Sequence, residues 1–227
     1  MCTPPGVFIG RPFLVNGDAR VAAVVEPTTS QDTSAWSYAT ATDVDLLPLP
    51  TSTRIRSRLA KYWANAAAAE HASVAAFSRH SLQLMALGAP ARLVQQAHEA
   101  ALDEIRHAQV GYALASRYGG VPIGPGPLDI SGALDTGSAL GSEVIRLTIL
   151  EGCIGETVAA VEARLGSTLS QDALVAEMLR GISMDEARHA QLAWEVVLWY
   201  AKSRPAERDE IANQVRTEVA KRLSPTP

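Results

Sequence analysis

Cysteine is scarce in this sequence, with only Cys2 and Cys153 among 227 residues. Two cysteines cannot build a disulfide framework, and a cysteine-held iron–sulfur cluster needs about four. Residues 1–6 also lack the basic-then-apolar pattern of a secretory signal, because two prolines and a glycine interrupt them. We therefore expect a reduced, cytoplasmic protein.

Long apolar runs, an excess of basic charge and a dinucleotide fingerprint are missing too. No apolar run reaches the roughly 18 residues of a membrane helix, so we expect no membrane span. The formal net charge of −4 gives no general reason to expect nucleic acid or a membrane surface as a partner. No glycine cluster lies between a predicted strand and a predicted helix. What remains is a globular composition, 47% hydrophobic, with enough chain for one domain.

One seven-residue stretch occurs twice. Residues 103–109 read Asp-Glu-Ile-Arg-His-Ala-Gln. Residues 185–191 differ from them at one position, the residue directly after the Glu, which is Ala187 in place of Ile105. On a helix, side chains at i and i+3 lie about 60° apart, so each copy points one carboxylate and one imidazole in the same direction. A single Glu-x-x-His is common by chance, but two copies in register indicate a functional site.

The apolar periodicity predicts an all-α fold in which four long helices carry these copies. We expect helices over about residues 51–86, 90–118, 138–165 and 171–202, and a C-terminal helix over about 206–223. The glycine- and proline-rich residues 121–136 suit one long crossover between two helix pairs, as in ferritin-like bundles.

The first 50 residues do not follow the helical pattern. Asn16-Gly17 between apolar residues predicts a β-hairpin whose second strand runs through Val21 to Val25. We expect residues 1–50 to be an extension packed on the helical domain of residues 51–227. A lid over a substrate pocket is the alternative.

Lone acids interrupt the apolar faces of the first and third helices. Glu70 precedes Glu104 by 34 residues, and Glu151 precedes Glu186 by 35. With a rise of about 1.5 Å per residue, all four acids fall in one layer of the bundle. Glu156 would reach the same layer through a π-bulge, so it is an additional or alternative candidate to Glu151.

Four carboxylates in one buried layer need a counter-charge, because they repel each other and lose their hydration. Two divalent cations would neutralise them, and one neutral imidazole per ion would complete the binding. Such oxygen-rich ligation suits iron or manganese better than structural zinc. The predicted metal ligands are Glu70, Glu104, His107, Glu151, Glu186 and His189, with Glu156 as the further candidate.

Acidic and basic neighbours of the two motifs are predicted to support the ligands. A metal-bound histidine usually donates its other ring N–H to a carboxylate, so we expect Asp103 to bond His189 and Asp185 to bond His107. Arg106 and Arg188 would then balance the aspartates, or else reach solvent.

With these motifs the chain resembles the ferritin-like di-iron carboxylate family over about residues 52–202. The double Glu…Asp-Glu-x-x-His pattern is similar to that of ribonucleotide reductase small subunits, di-iron N-oxygenases and bacterial multicomponent monooxygenase hydroxylases. The Asp-Glu-Ile-Arg-His form most resembles the hydroxylases, although this chain is far shorter and residues 1–50 and 203–227 match none of them. The resemblance implies two iron ions, with a manganese–iron pair as an alternative.

The resemblance also implies an O₂-activating oxidase or oxygenase that acts on a small organic substrate, an activity that suits a biosynthetic pathway. Its partners would be O₂, the substrate and a separate electron donor, and a homodimer is compatible with it. A ferroxidase or iron-storage cage is one alternative. A tRNA-modifying di-iron hydroxylase is another, but only a few basic residues between 54 and 61 suggest the face that it needs.

Overall fold

Long helices make up most of the molecule. The computed structural model describes residues 10–26, 36, 44, 45, 47–135 and 140–223. Over these residues the protein is mostly helical (75%), with five helices and short antiparallel strand pairs near the N-terminus. This confirms the predicted helical class and the small β-structured extension at that level of detail. Among the described helices, none has both the length and the apolarity that a bilayer crossing demands.

The first two long helices form a hairpin. Helix α1 spans Thr53–Ala86 and helix α2 spans Ala91–Gly119, which confirms the predicted bounds to within two residues. Gly88 follows α1 with a φ of +73°, a conformation that costs glycine little. Small side chains let the helices approach closely, because a Cβ on Gly111 would lie 2.8 Å from the Ala67 Cβ.

The third long helix contains a π-helical segment in its middle. Helix α3 consists of α-helical Leu140–Leu147, the π segment Thr148–Glu156 and α-helical Thr157–Leu169. Because π-helical hydrogen bonds run from i to i+5, side chains in this segment point differently from those of a regular helix. The predicted start of α3 at residue 138 lies outside the described residues, and the helix ends four residues later than predicted.

Helix α4 forms the second hairpin with α3 and spans Ala173–Ser203. The Asp172 side chain caps its start by accepting hydrogen bonds from two backbone N–H groups. The predicted break at Pro205 is present, and the short 3₁₀ turn Pro205–Glu207 leads into helix α5, Arg208–Leu223. Helix α5 contacts α4 and the π segment of α3.

Apolar clusters lie on both sides of the acidic layer. One cluster draws on all four long helices and includes Trp63, Ala66, Leu114, Ala163, Val175, Leu179 and Ile182. The other draws on α1, α2 and α4 and includes Phe77, Leu84, Leu93, Ala97, Leu192 and Val196. Along these three helices, Glu70, Glu104 and Glu186 fall between the two clusters. The fold thus places the acids in a polar layer enclosed by apolar regions.

The predicted hairpin near the N-terminus is present but short. Strand β1 (Leu14–Val15) pairs with β2 (Asp18–Ala19) in antiparallel register. Asn16 and Gly17 have φ values of +54° and +90°, as a type I′ turn requires.

The residues predicted to extend this hairpin pair elsewhere. Strand β3 (Val24–Val25) pairs with β4 (Gly124–Pro125), which lies in the crossover between the two helix hairpins. A local sequence pattern cannot reveal a partner about a hundred residues away. Phe13 and Val15 are buried against small residues of α1, so the described part of the extension lies on the helical domain.

Candidate metal centre

Six side chains from four helices converge in the polar layer, and each is at most 4% exposed. Their ligand atoms form two groups, within each of which the atoms lie no more than 4.8 Å apart. The first group consists of Glu70, Glu104, His107 and Glu186, and the second of Glu104, Glu156, Glu186 and His189. Glu104 and Glu186 belong to both. Each group could hold a metal ion, with two carboxylates shared between the ions.

The Nδ1 atoms of the two imidazoles face the shared carboxylates. His107 Nδ1 lies 3.2 Å from Glu186 Oε1, and His189 Nδ1 lies 3.0 Å from Glu104 Oε1. The imidazole on α2 thus reaches the glutamate on α4, and the imidazole on α4 reaches the glutamate on α2. The motif repeated in the sequence therefore produces an approximately symmetric pair of half-sites.

The opposite ring nitrogens contact the aspartates that precede the motif glutamates. His107 Nε2 lies 3.1 Å from Asp185 Oδ2, and His189 Nε2 lies 3.1 Å from Asp103 Oδ2. These are the two pairs that the sequence predicts. When Nε2–H donates to the aspartate, Nδ1 keeps its lone pair for a metal ion.

Both arginines of the motif contact these aspartates. Arg106 donates to Asp103, while Arg188 Nη2 lies 2.6 Å from Asp185 Oδ1 and 3.4 Å from Asp103 Oδ2. Burial alone would raise the pKa of both aspartates, but the histidine hydrogen bonds and the arginine charges outweigh it and lower the pKa. The arginine side chains are 56% and 57% exposed, so they reach solvent as well.

Most atoms that face the centre of the layer lack a well-aligned hydrogen-bond partner. They are Glu70 Oε2, both carboxylate oxygens of Glu104, Glu156 and Glu186, and the Nδ1 atoms of His107 and His189. Leaving one buried polar group unsatisfied costs roughly 1–3 kcal/mol, so such a concentration is unusual. Cations placed among these oxygens and nitrogens would satisfy them together. The residues therefore fit a two-ion centre.

Without a cation, the layer shifts the pKa of its acids in two opposite directions. Burial and the charges of Glu104 and Glu186 raise the pKa of Glu70 well above its usual value. Burial and the charge of Glu186 do the same to the pKa of Glu156. Burial would also raise the pKa of Glu104 and Glu186, but contacts that include both imidazoles outweigh it and lower the pKa.

The layer shifts the pKa of the two imidazoles as well. Burial would lower the pKa of His107 and His189, but the aspartates and the shared glutamates outweigh it and raise the pKa of both rings well above the usual value. In the metal-free layer these directions favour two imidazolium ions, two ionised glutamates and two neutral glutamic acids.

The π segment determines which acid of α3 joins the layer. Glu151, the ligand preferred from the repeat spacing, belongs to neither group, whereas the alternative Glu156 belongs to the second. Both side chains are fully buried. The π-helical geometry that the Glu156 alternative required is present, and it turns the two acids toward different partners. Of the two acids, Glu156 is the one whose carboxylate lies in these groups.

Two arginines hold Glu151 in its different position. Arg79 Nη2 donates to Glu151 Oε1, and Arg11 Nε donates to Glu151 Oε2 at 3.3 Å. The Leu14 N–H also donates to Oε1, at 3.0 Å. A carboxylate that is already neutralised by two guanidinium groups has no need of a metal ion. The repeat spacing could not reveal this competition for Glu151.

Sequence reasoning missed Arg11 and Arg79 altogether. Arg79 lies nine residues after Glu70 on α1, away from the apolar stripe, so its position reads as solvent-facing. Arg11 lies in a segment without periodicity. Both are nevertheless buried, at 1% and 4% exposure, because the N-terminal segment covers this side of α1. No local pattern in the sequence signals that covering.

Comparison of the chain with protein-family models, with curated protein sequences and with solved structures produced no match in any of the three. The resemblance to the ferritin-like family therefore depends on the repeated motif and its spacing alone. What the structure itself provides is a mostly helical protein whose buried Glu and His groups could bind metal.

Proposed function

We propose that this protein is a ferritin-like di-iron oxidase or oxygenase that activates O₂ to oxidise a small organic substrate. The observation that carries the proposal is the pair of buried four-residue groups sharing Glu104 and Glu186. One imidazole and several carboxylates per ion form the ligand set that di-iron carboxylate bundles use. Two ferrous ions bound here would supply two electrons and coordination positions at which O₂ could bind.

The chain's own residues hold this centre in a fixed geometry. Asp103 and Asp185 orient the imidazoles through their 3.1 Å contacts, so each Nδ1 stays directed at the centre. Such carboxylate–histidine contacts also increase the basicity of the ligand nitrogen. The ring of Phe77 lies edge-on to His189, with 5.1 Å between the centroids.

The layer is also shielded from solvent. All six candidate ligands are buried, and apolar clusters cover the layer on both sides. Excluding water strengthens electrostatic interactions inside the site and protects a reactive oxidant from unproductive reduction. Burial is therefore a property that an O₂-activating site needs.

Metal binding and the reaction with O₂ test the proposal. Anaerobic titration of the metal-free protein with Fe(II) should end near two ions per chain, by elemental analysis. Glu104→Ala removes a carboxylate common to both groups and should abolish binding of both ions. Glu99→Ala changes an exposed acid on the same helix and should retain both. A wild-type protein that binds no iron, or binds it away from this layer, would contradict the proposal.

Electron supply provides a second test. The chain has two cysteines and no dinucleotide fingerprint, so we expect an external donor. The reduced di-iron protein should consume O₂ in one turnover and form at most one product per site until reductant is added. Many turnovers without a donor would instead make the substrate the source of electrons, and thus the protein an oxidase of that substrate. Large assemblies that accumulate many ferric ions per chain would favour the storage alternative.

A further inference from the structure

Residues 10–15, which we call the N-terminal strap, lie across α1 and the π segment of α3. Ser73 Oγ donates to the Arg11 carbonyl at 2.8 Å, and Arg79 Nη1 donates to the Leu14 carbonyl at 2.6 Å. A Cβ on Gly155 of the π segment would lie 3.0 Å from Pro12 Cδ. The strap is therefore attached to the two helices, α1 and α3, that each contribute a single residue to the layer.

A buried ion cluster of Glu151, Arg11 and Arg79 holds the strap in place. Glu151 accepts hydrogen bonds from the Arg11 side chain, the Arg79 side chain and the Leu14 N–H. Two of these three donors belong to the strap itself. Arg79, on α1, also contacts the strap, because its guanidinium lies 4.8 Å from the centre of the Phe13 ring. Removing the Glu151 charge would leave two buried arginines without their shared anion.

The strap also touches the candidate metal layer. Gly10 has a φ of +94°, and a Cβ at this position would collide with Glu70 Oε2 and lie 2.7 Å from Ser73 Oγ. The backbone of the strap thus lies directly against a ligand carboxylate. The Arg11 guanidinium lies 4.9 Å from the centre of the Phe77 ring, which in turn contacts His189.

Little space remains on this side of the layer. The cavity between the strap and α1, lined by Gly10, Arg11, Phe13, Ala69 and Ala72 among others, has a volume of about 10 Å³. That is enough for about one water molecule. An organic molecule could approach Glu70 from this side only if the strap moved.

We propose that the N-terminal strap is the wall that controls access to the metal centre between α1 and α3, and that Glu151 is a positioning residue that holds the strap closed. This inference rests on the proposed di-metal function. It also gives Glu151 a role that its position in the repeat does not predict: Glu151 acts on access to the metal ions rather than on their binding.

The test uses full-length protein loaded anaerobically with Fe(II). Release of iron is followed by the colour formed with a small chelator, bipyridine, and a bulky one, bathophenanthroline disulfonate. Glu151→Gln should still bind close to two ions but release them to the bulky chelator about tenfold faster, as expected when a hydrogen bond to a charged group is lost. Hydrogen exchange at the Leu14 amide should accelerate by a similar factor.

Arg11→Met provides a milder second variant, because it leaves the Arg79–Glu151 ion pair intact. It should accelerate release in the same direction even if Glu151→Gln folds poorly. Glu143→Gln is the matched control, since it removes an acid of α3 that pairs with Arg146 at 2.7 Å outside the layer. This control should release iron at the wild-type rate.

The outcomes separate the two proposals. If the wild-type protein binds two ions and both strap variants release them at the wild-type rate, the access role is wrong while the di-metal function stands. If folded Glu151→Gln binds only one ion, Glu151 is a ligand and the positioning role is wrong. If the wild-type protein binds no metal, the proposed function is wrong and the access role is wrong as well.

Discussion

The α1–α2 hairpin and the α3–α4 hairpin carry the same ligand pattern but present it differently. In the first hairpin, Glu70, Glu104 and His107 reach the layer from regular α-helices. In the second, Glu186 and His189 do the same, but the lone acid comes from a π segment. Equivalent positions in a repeated sequence thus need not have equivalent surroundings.

The cause of the difference lies outside the repeat. Arg11 and Arg79 give the Glu151 carboxylate a complete set of charged donors, and no such pair of arginines contacts Glu70 among the described residues. Glu70 is instead buried beside Glu104 and Glu186, and burial together with their charges raises its pKa. An acid beside cations is already stabilised, whereas an acid beside other acids needs a proton or a metal ion.

The largest expected effect is the release of protons from the two half-sites when they bind metal. The directions of the pKa shifts favour one imidazolium and one neutral glutamic acid in each half: His107 with Glu70, and His189 with Glu156. Ligands bind metal in their deprotonated form, so loading both ions should release up to about four protons. Overall metal affinity should then rise with pH, by up to about four orders of magnitude per pH unit where all four protons are still bound.

Calorimetric titration with Mn(II) in buffers of different ionisation enthalpy would count these protons. Glu70→Gln and Glu156→Gln should each lower the count by about two, because each removes one neutral acid that must ionise and, with the ion of that half lost, leaves its imidazolium protonated. A count near zero in the wild-type protein would show that the layer does not bind metal through these groups. Unequal effects of the two variants would show that the half-sites differ in more than backbone geometry.

Removing one lone acid should cost one ion. Glu70 and Glu156 each belong to a single group, so Glu70→Ala and Glu156→Ala should each leave about one Mn(II) per chain. Electron paramagnetic resonance would detect the change, because an isolated Mn(II) ion has a spectrum different from that of a coupled pair. Two ions retained in Glu156→Ala would reverse the assignment between Glu156 and Glu151.

Loss of an aspartate contact should have a smaller effect. Asp103→Asn and Asp185→Asn keep the shape of the side chain but remove the charge that orients the histidine of the opposite hairpin. Each should weaken metal affinity about 10–100-fold, as is typical for partners of metal-bound histidines. Equilibrium competition with a chelator would measure it. Wild-type affinity in both variants would rule out this role for the aspartates.

The smallest expected effect concerns the two motif arginines. Arg188 contacts both Asp103 and Asp185, whereas Arg106 contacts Asp103 and not Asp185. Arg188→Gln should therefore destabilise the metal-free protein more than Arg106→Gln. Each change should stay within about 1 kcal/mol, because more than half of each side chain is exposed to solvent. Urea denaturation of the two variants would compare them. A larger effect of Arg106→Gln would break this ranking.

Several features were predictable because their causes are local. Helical periodicity, glycine stops and Pro205 predicted where the long helices begin and end, to within a few residues. The i, i+3 spacing of Glu104 with His107 and of Glu186 with His189 predicted that each pair shares one direction, and the structure brings all four together. The contacts of Asp103 and Asp185 with the histidines follow from the same repeat.

Only the tertiary structure decided what depends on residues far apart in the chain. The choice of Glu156 over Glu151 required Arg11, which is 140 residues from Glu151 in sequence. The pairing of Val24–Val25 with Gly124–Pro125 likewise joins distant segments. Periodicity records which way a side chain points from its own helix. Which charged groups it meets there depends on how the whole chain folds around it.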